Sequence, residues 1–253
     1  MKTDMIPSFV REIGVAFCLL SRLPMPALPA AAFERSARSV WAYPLVGATL
    51  GLIAGGVGAA ALWAGLPVGI AAGLTLAALM LSTGAMHEDG LADTADGFWG
   101  GFDRDRRLEI MKDSQIGTYG TLSLIVTSGL RWAALAVLLP AGIAPVIVAA
   151  CLSRAAMPVI MRHVPHARGD GLSHSVGRPA MPHVFAGLCI AVLLGAVLSG
   201  PVVLVALALG AGLVFGAIKL TQHKIGGHTG DVLGATQVIT ELLVLLTFIV
   251  ATP

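Results

Sequence analysis

Apolar residues form seven runs long enough to cross a bilayer, which takes about 20 helical residues. The fifth and sixth runs are the shortest, so the pattern allows six to eight spans. The segment 8–21 is apolar on one side and carries Arg11 and Glu12, which indicates an interfacial or re-entrant helix. The runs cover approximately residues 40–64, 68–86, 119–139, 142–161, 184–199, 201–218 and 234–251.

The links between these runs alternate between short uncharged links and long charged ones. With seven spans, all the long links lie on one membrane face, and fourteen of the 16 Lys and Arg residues lie there with them. The positive-inside rule makes this face cytoplasmic, with the N terminus inside. We therefore expect a multi-pass protein of the cell inner membrane. The long links are residues 22–39, 87–118, 162–183 and 219–233.

Composition supports the same class of protein. Hydrophobic residues make up 56% of the 253 residues, charged residues only 12%, and the mean hydropathy is +0.85. A soluble globule cannot bury that much apolar surface, and a net charge of +2 predicts no binding to nucleic acid. We predict one all-α domain over residues 1–253, a helical bundle whose active-site loops share the cytoplasmic face. An N-terminal interfacial helix and loop at 1–39 precede the bundle.

An acidic run from Glu88 to Gly97 holds the densest group of candidate site residues. In a helix, Asp89, Asp93 and Asp96 have the spacing i, i+4, i+7 and share one face. Like charges at this spacing repel, and a hard divalent cation such as Mg²⁺ or Mn²⁺ relieves the repulsion. A solvated acidic loop is the alternative interpretation.

Three further polar segments follow in the long links. Residues 104–114 combine basic residues with Lys112, Asp113 and Ser114, and the basic residues are either substrate contacts or surface charges. Residues 166–178 place Arg168 among glycines, a pattern typical of anion nests but also of ordinary turns. The segment 224–234 contains Gly-Gly-His-Thr-Gly-Asp, whose backbone N–H groups could bind phosphate at a helix start.

Charged residues also occur within the predicted spans. Arg131 lies deep in its span, where an unpaired cation is costly, so we expect it to face the bundle interior. Glu241, in the last span, is a possible partner. Arg154 lies nearer the cytoplasmic end, where its side chain can extend to the surface.

Acidic residues, cations and glycine turns on one membrane face together favour metal-assisted phosphoryl transfer. The segments 88–97, 109–120 and 227–235, with the opening 17–26, resemble the cobalamin synthase family, also called adenosylcobinamide-GDP ribazoletransferase. The resemblance covers essentially the whole chain. It implies an integral membrane enzyme that uses Mg²⁺ to join adenosylcobinamide-GDP to α-ribazole or its 5′-phosphate and releases GMP.

The residue pattern and the family resemblance together predict roles for individual residues. His228 is a possible proton acceptor, and the turn at 226–231 with Lys112 is expected to bind the guanylyl end of the donor. The predicted catalytic residues are Asp93, Asp96, Lys112 and His228; the predicted substrate contacts are Arg104, Lys112, Ser114, Arg168, Gly227, Thr229 and Gly230; the predicted metal ligands are Glu88, Asp89, Asp93, Asp96, Asp113 and Asp231.

The sequence leaves two alternative functions, a CDP-alcohol phosphotransferase and a transporter. Asp93-x-x-Asp96-Gly97 matches the opening of the CDP-alcohol phosphotransferase motif, but the Ala-Arg pair expected after Gly97 is absent. A transporter would need charged links on both membrane faces, which the pattern opposes. A homo-oligomer and contacts with other corrinoid-pathway enzymes are also left open.

Overall fold

A computed structural model describes residues 7–251 of the chain. Within this range the backbone is helical, and the β-type pairing consists of one isolated bridge between His166 and His228. A 3₁₀ segment spans Ala30–Ala42 and a short one Leu139–Ala141. The α-helices are α1 Ser8–Leu20, α2 Tyr43–Trp63, α3 Val68–Thr83, α4 Met86–Gly100, α5 Arg104–Ile110, α6 Thr118–Leu138, α7 Ala144–His163, α8 Leu172–Val176, α9 Met181–Ser199, α10 Val202–Ile225 and α11 Gly230–Ala251.

This architecture confirms the predicted membrane helical bundle. Six helical segments of the described chain are long and apolar enough to cross a bilayer, and the pair α3–α4 makes a seventh if it forms one broken span. The central helices are α7 and α11, each with 78% of its apolar window buried, whereas α9 and α10 are only 22% and 17% buried and lie at the periphery. With 13 residues, α1 is shorter than a span.

The predicted boundaries were wrong at two long links. Residues 219–233 are mostly helix, because α10 continues to Ile225 and α11 already begins at Gly230, so only four residues connect them. Residues 87–118 contain α4 and α5 rather than one loop. A helix can continue through charged residues after its apolar run ends. The hydropathy pattern marks the end of the apolar run and not the end of the helix.

A sharp break separates α3 from α4. Gly84 and Ala85 both have positive φ angles, 66° and 57°, and the two helices are bent by 86° relative to each other. A left-handed conformation is ordinary for glycine but unusual for alanine. The N–H of Ala85 donates to the carbonyl of Met80, and Arg22 N–H donates to the carbonyl of Ser82 at 2.7 Å. These bonds fix the angle at which α4 leaves the end of α3.

A buried ion-pair network connects three helices, as expected from the isolated Arg131. Its guanidinium contacts Glu241 on α11 at 2.6 Å and Glu88 on α4 at 2.7 Å. Gln237 donates to the second oxygen of Glu241 at 2.8 Å. The expectation that Arg154 extends to the surface was wrong. It is 1% exposed, donates to the carbonyl of Ala150 and lies 3.8 Å from Glu241, because the acidic partner is inside the bundle.

The first helix is attached to the bundle through the 3₁₀ segment that follows it. The indole N–H of Trp41 donates to the Glu12 carboxylate at 2.7 Å. Ala16 and Leu20 are buried against Val40 and Tyr43 in one apolar cluster. The predicted amphipathic segment therefore packs with its apolar side on the bundle.

Glycines allow α2 to approach α7 closely. A methyl group added at Gly51 would lie 2.7 Å from the Cα of Ile147 and 2.9 Å from the carbonyl oxygen of Val146. Gly47 and Gly55 meet Ala150 and Ile143 in the same way. Small residues at this spacing let helices pack by van der Waals contact where lipid provides no hydrophobic driving force.

We expect Gly51→Ala to lower the free energy of unfolding by about 1–3 kcal/mol, because the added methyl group overpacks the α2–α7 contact. Gly56→Ala is the matched control, since nothing lies within 4 Å of a methyl group there. Denaturant unfolding of both variants in mild detergent measures the difference. Equal stability would contradict the close packing.

Candidate active site

The acidic face predicted for α4 lies beside the start of α11. The two helices touch through their backbones, since a methyl group at Gly90 would lie 2.8 Å from the carbonyl oxygen of Asp231. This contact places Asp231 next to Asp89 and Asp93, two carboxylates for which no hydrogen-bond donor is present among residues 7–251. Arg168 contacts Asp231 at 3.3 Å and partly balances the negative charge.

Asp96 has a structural role that its spacing did not indicate. Its two carboxylate oxygens accept hydrogen bonds from the N–H groups of Gly117 at 2.7 Å and Gly120 at 2.9 Å. Both donors are free at the start of α6, where an anion is stabilised. Asp96 therefore joins α4 to α6, and it is not one of the open carboxylates of the predicted catalytic and metal set.

Glu88 combines a structural contact with a free oxygen. Its Oε1 atom is bound to Arg131 in the buried network. Its Oε2 atom has no hydrogen-bond partner among residues 7–251, and the residue lines the same cleft as Asp89 and Asp93. Across the described residues, no group of three or more His, Cys, Asp or Glu side chains is arranged to hold a metal ion. The six predicted metal ligands therefore do not converge on one point among the described residues.

Two cavities meet at Asp89. The outer cleft, about 500 Å³, is lined by Asp89, Asp93, Lys112, Asp113 and Ser114, and its rim residues 112–114 are exposed. The smaller inner cavity, about 150 Å³, lies on the other side of Asp89 and reaches Arg168 and Asp231. Its remaining lining residues are mostly apolar: Leu19, Leu20, Tyr43, Met86, His87, Met157, Met161, Leu172, Ser173, Val176, Gly230 and Leu233.

A chain of charges connects the two cavities. Lys112 contacts Asp170 at 2.6 Å, Asp170 lies 3.3 Å from Arg168, and Arg168 contacts Asp231. The hydrogen bond from Lys112 lowers the pKa of Asp170 below its usual value. The predicted residues Lys112 and Arg168 are thus brought to the same site, although 56 residues of sequence separate them.

The turn at 226–229 is packed against the chain rather than open. The N–H of His228 donates to the carbonyl of Pro165, and a methyl group at Gly227 would lie 2.6 Å from the backbone nitrogen of Ala167. Thr229 is 1% exposed, and its hydroxyl accepts from the N–H of Val232. The predicted phosphate contacts at Gly227 and Thr229 are therefore buried, and Gly230 alone of the three borders a cavity.

His228 is a poor proton acceptor in this structure. The ring is 1% exposed, and its Nδ1 atom lies 3.0 Å from the carbonyl oxygen of Pro165. Burial, with a smaller effect from His166, lowers the pKa of His228 to about 4. The ring therefore stays neutral at physiological pH, and because it borders neither cavity it does not reach a substrate hydroxyl for the predicted role.

Arg104 binds backbone rather than substrate. Its guanidinium donates to the carbonyls of Ile225 at 3.0 Å and Ala167 at 2.6 Å. Arg107 bonds in the same way to the carbonyl of Lys224. Helix α5 is thereby fastened to the C-terminal end of α10. Arg104 and Arg106 are nevertheless half exposed and form surface ion pairs with Asp105 and Glu109, as the surface interpretation predicted.

Two buried polar residues were not singled out by the sequence. His87 is 2% exposed, and its Nε2 atom has no hydrogen-bond partner among residues 7–251. Ser173 is 6% exposed and also lines the inner cavity. A histidine between an apolar run and an acidic run was the available signal for His87, whereas Ser173 stood in a segment that looked like a turn.

Comparison with known proteins gives one consistent family. The chain is 41% identical to the adenosylcobinamide-GDP ribazoletransferase of Bradyrhizobium diazoefficiens, over 96% of this chain and 95% of the relative. It is 42% identical to the protein of that name from Brucella anthropi, over 99% of each chain, and 43% identical to one from a Sinorhizobium species, over 95% and 96%. No solved structure gives a significant match.

The model of one protein family matches most of the chain. It is the family described as cobalamin-5-phosphate synthase, and the match runs over residues 12–249. This range contains the acidic face of α4, both cavities and the charges that connect them. The sequence match and the membrane-helical fold agree, and the chain belongs to the cobalamin-5-phosphate synthase family.

Proposed function

We propose that this chain transfers the adenosylcobinamide phosphate group of adenosylcobinamide-GDP to α-ribazole or α-ribazole 5′-phosphate. The observation that carries the proposal is the identity of 41–43% with ribazoletransferases over nearly the whole chain. The site supports it, because open carboxylates, a lysine and an arginine surround the point where two cavities meet.

The reaction exchanges one phosphoryl ester bond for another. A hydroxyl oxygen of the ribazole attacks the cobinamide-linked phosphorus, the bond from that phosphorus to the bridging oxygen breaks, and GMP leaves. The hydroxyl proton passes to a base. Asp89 and Asp93 border the outer cleft with no hydrogen-bond donor of their own, so they are the available acceptors in place of His228.

The cations of the site balance the charge of the donor. Lys112 and Ser114 line the outer cleft, where they donate to pyrophosphate oxygens. Arg168 lies between the cavities and keeps Asp231 from adding a full negative charge beside the phosphates. Most catalysis in phosphoryl transfer comes from such positioning and charge neutralisation.

Mg²⁺ fits the donor set as an ion shared between protein and substrate. Asp89, Asp93 and Asp231 supply only oxygen atoms, which Mg²⁺ and Mn²⁺ prefer, and Mg²⁺ is commonly held by one or two carboxylates with substrate phosphates completing its shell. This agrees with the absence of a three-ligand group among residues 7–251. When bound, the ion neutralises charge on the phosphate oxygens.

We expect Asp93→Asn and Asp89→Asn each to lower the rate at least about a hundredfold, because each removes a charge at the reacting phosphate. Membranes containing the protein are incubated with adenosylcobinamide-GDP, α-ribazole and Mg²⁺, and GMP and the corrinoid product are followed together. Asp105→Asn is the control, since Asp105 is an acid on exposed α5 with a side chain 90% exposed.

Two outcomes contradict this assignment. Near-normal turnover of Asp93→Asn at saturating Mg²⁺ would remove the acidic face from the mechanism. Absence of GMP release by the unaltered protein, with release from a CDP-linked lipid donor instead, would replace the proposed reaction with that of a CDP-alcohol phosphotransferase.

The protein is a multi-pass membrane protein, and we propose that it lies in the cell inner membrane with its N terminus in the cytoplasm. The outer cleft, α5 and the 164–180 link then all face the cytoplasm. The excess of Lys and Arg in these segments supports this orientation.

Cysteine labelling tests the orientation. Gly169 and Ala64 are exposed and lie in links on opposite sides of the spans, and a cysteine is placed at each in a background without Cys18, Cys151 and Cys189. We expect Gly169→Cys to react with a membrane-impermeant maleimide only after the cells are opened, and Ala64→Cys to react in intact spheroplasts. Labelling of Gly169→Cys from outside would reverse the topology.

A further inference from the structure

We propose that the inner cavity binds the aromatic base of the acceptor nucleoside, while the pyrophosphate donor occupies the outer cleft. This inference rests on the proposed function and assigns one substrate to each cavity. The cavity has a volume of about 150 Å³, which suits a flat ring system the size of the base.

The walls of the inner cavity suit a flat apolar ring. Leu20 of α1 and Tyr43 of α2 are buried residues of the cavity wall, and Met157 and Met161 line the cavity from α7. Methionine side chains adapt to irregular shapes and make favourable contacts with aromatic rings. The dimethylbenzimidazole of α-ribazole is a flat, largely apolar ring of this kind.

Buried polar atoms without partners also indicate a ligand. His87 and Arg168 both line this cavity, and the Nε2 atom of His87 and the Nη1 atom of Arg168 are buried without a hydrogen-bond partner within residues 7–251. Leaving such atoms unpaired is costly, so a ligand that pairs with them binds more tightly. α-Ribazole has one unsubstituted ring nitrogen and several sugar hydroxyls. These are enough to pair with both buried nitrogen atoms and with the hydroxyl of Ser173.

The position of Asp89 between the two cavities indicates how the two substrates lie relative to each other. Because it lines both cavities, a nucleoside whose base is in the inner cavity can present a sugar hydroxyl to the carboxylates. The donor carries a corrin ring, which is too large for the inner cavity. The exposed rim of the outer cleft, with Lys112 and Ser114, leaves such a group in solvent while holding the pyrophosphate.

Gly230 provides a direct probe of this arrangement. It lines the inner cavity, and a methyl group added there meets no atom within 4 Å, so a side chain would enter empty space. The turn before it is already packed against residues 165–167. A substitution at Gly230 therefore takes volume from the nucleoside, which replaces the sequence-based expectation that this turn contacts the donor.

We expect Gly230→Val to raise the KM for α-ribazole at least about tenfold and to leave the KM for adenosylcobinamide-GDP within about twofold, because overpacking acts only on the group that shares the space. Gly230→Ala should have a smaller effect of the same kind. Gly216→Val is the control, since this glycine of α10 also has open space around it and lies outside both cavities.

A second measurement needs no turnover. Equilibrium binding of α-ribazole to purified protein in nanodiscs, read from the fluorescence of the base, should weaken in Gly230→Val. It should weaken less for the riboside of unsubstituted benzimidazole, because the two missing methyl groups free the volume that valine fills. Binding of α-ribazole to a protein that forms no GMP would retain the cavity assignment and reject the proposed reaction.

Three results overturn the inference. They are unchanged α-ribazole binding in both Gly230 variants, a KM effect on the donor equal to or greater than that on the acceptor, and equal weakening for the two ribosides. Protein amount in each variant is normalised by size-exclusion chromatography, and Gly230→Ala serves where the larger side chain prevents folding.

Discussion

The guanidinium of Arg131, buried between two carboxylates, is the interaction on which the site depends. It joins α6 to Glu88 on α4 and to Glu241 on α11 in the interior of the bundle. Removing one member would leave an uncompensated charge inside the bundle, a change that commonly costs about 3–5 kcal/mol. The network therefore holds α4 in one position relative to α11, and the open carboxylates follow from that position.

The same helices are joined again nearer the surface by contacts that involve no ion pair. Asp96 binds the free N–H groups at the start of α6, and Gly90 lets the backbone of α4 touch that of α11. Asp89 and Asp93 lie along α4 between Glu88, which binds Arg131, and Asp96, which binds α6. The repulsion between the two carboxylates opposes their placement side by side. Glu88 thus holds α4 through Arg131, whereas the adjacent Asp89 lines both cavities without a hydrogen-bond donor.

The sequence predicted the membrane helices and the acidic face well, because apolar length and helical spacing are local properties. It also paired Arg131 with Glu241, since a charge inside a span requires a partner. It could not separate Asp96 from Asp93, because the bonds of Asp96 reach residues more than 20 positions away. The break at Ala85, the burial of His228 and the inner cavity likewise depend on segments that meet only in the folded chain.

The first helix has a consequence for how the protein can be engineered. Leu19 and Leu20 form part of the wall of the inner cavity, and Glu12 fastens the helix to Trp41. Residues 8–20 thus give the inner cavity part of its shape, through Leu19 and Leu20. Exchanging this segment for an unrelated helix, or fusing a rigid partner to it, would alter the shape of the inner cavity.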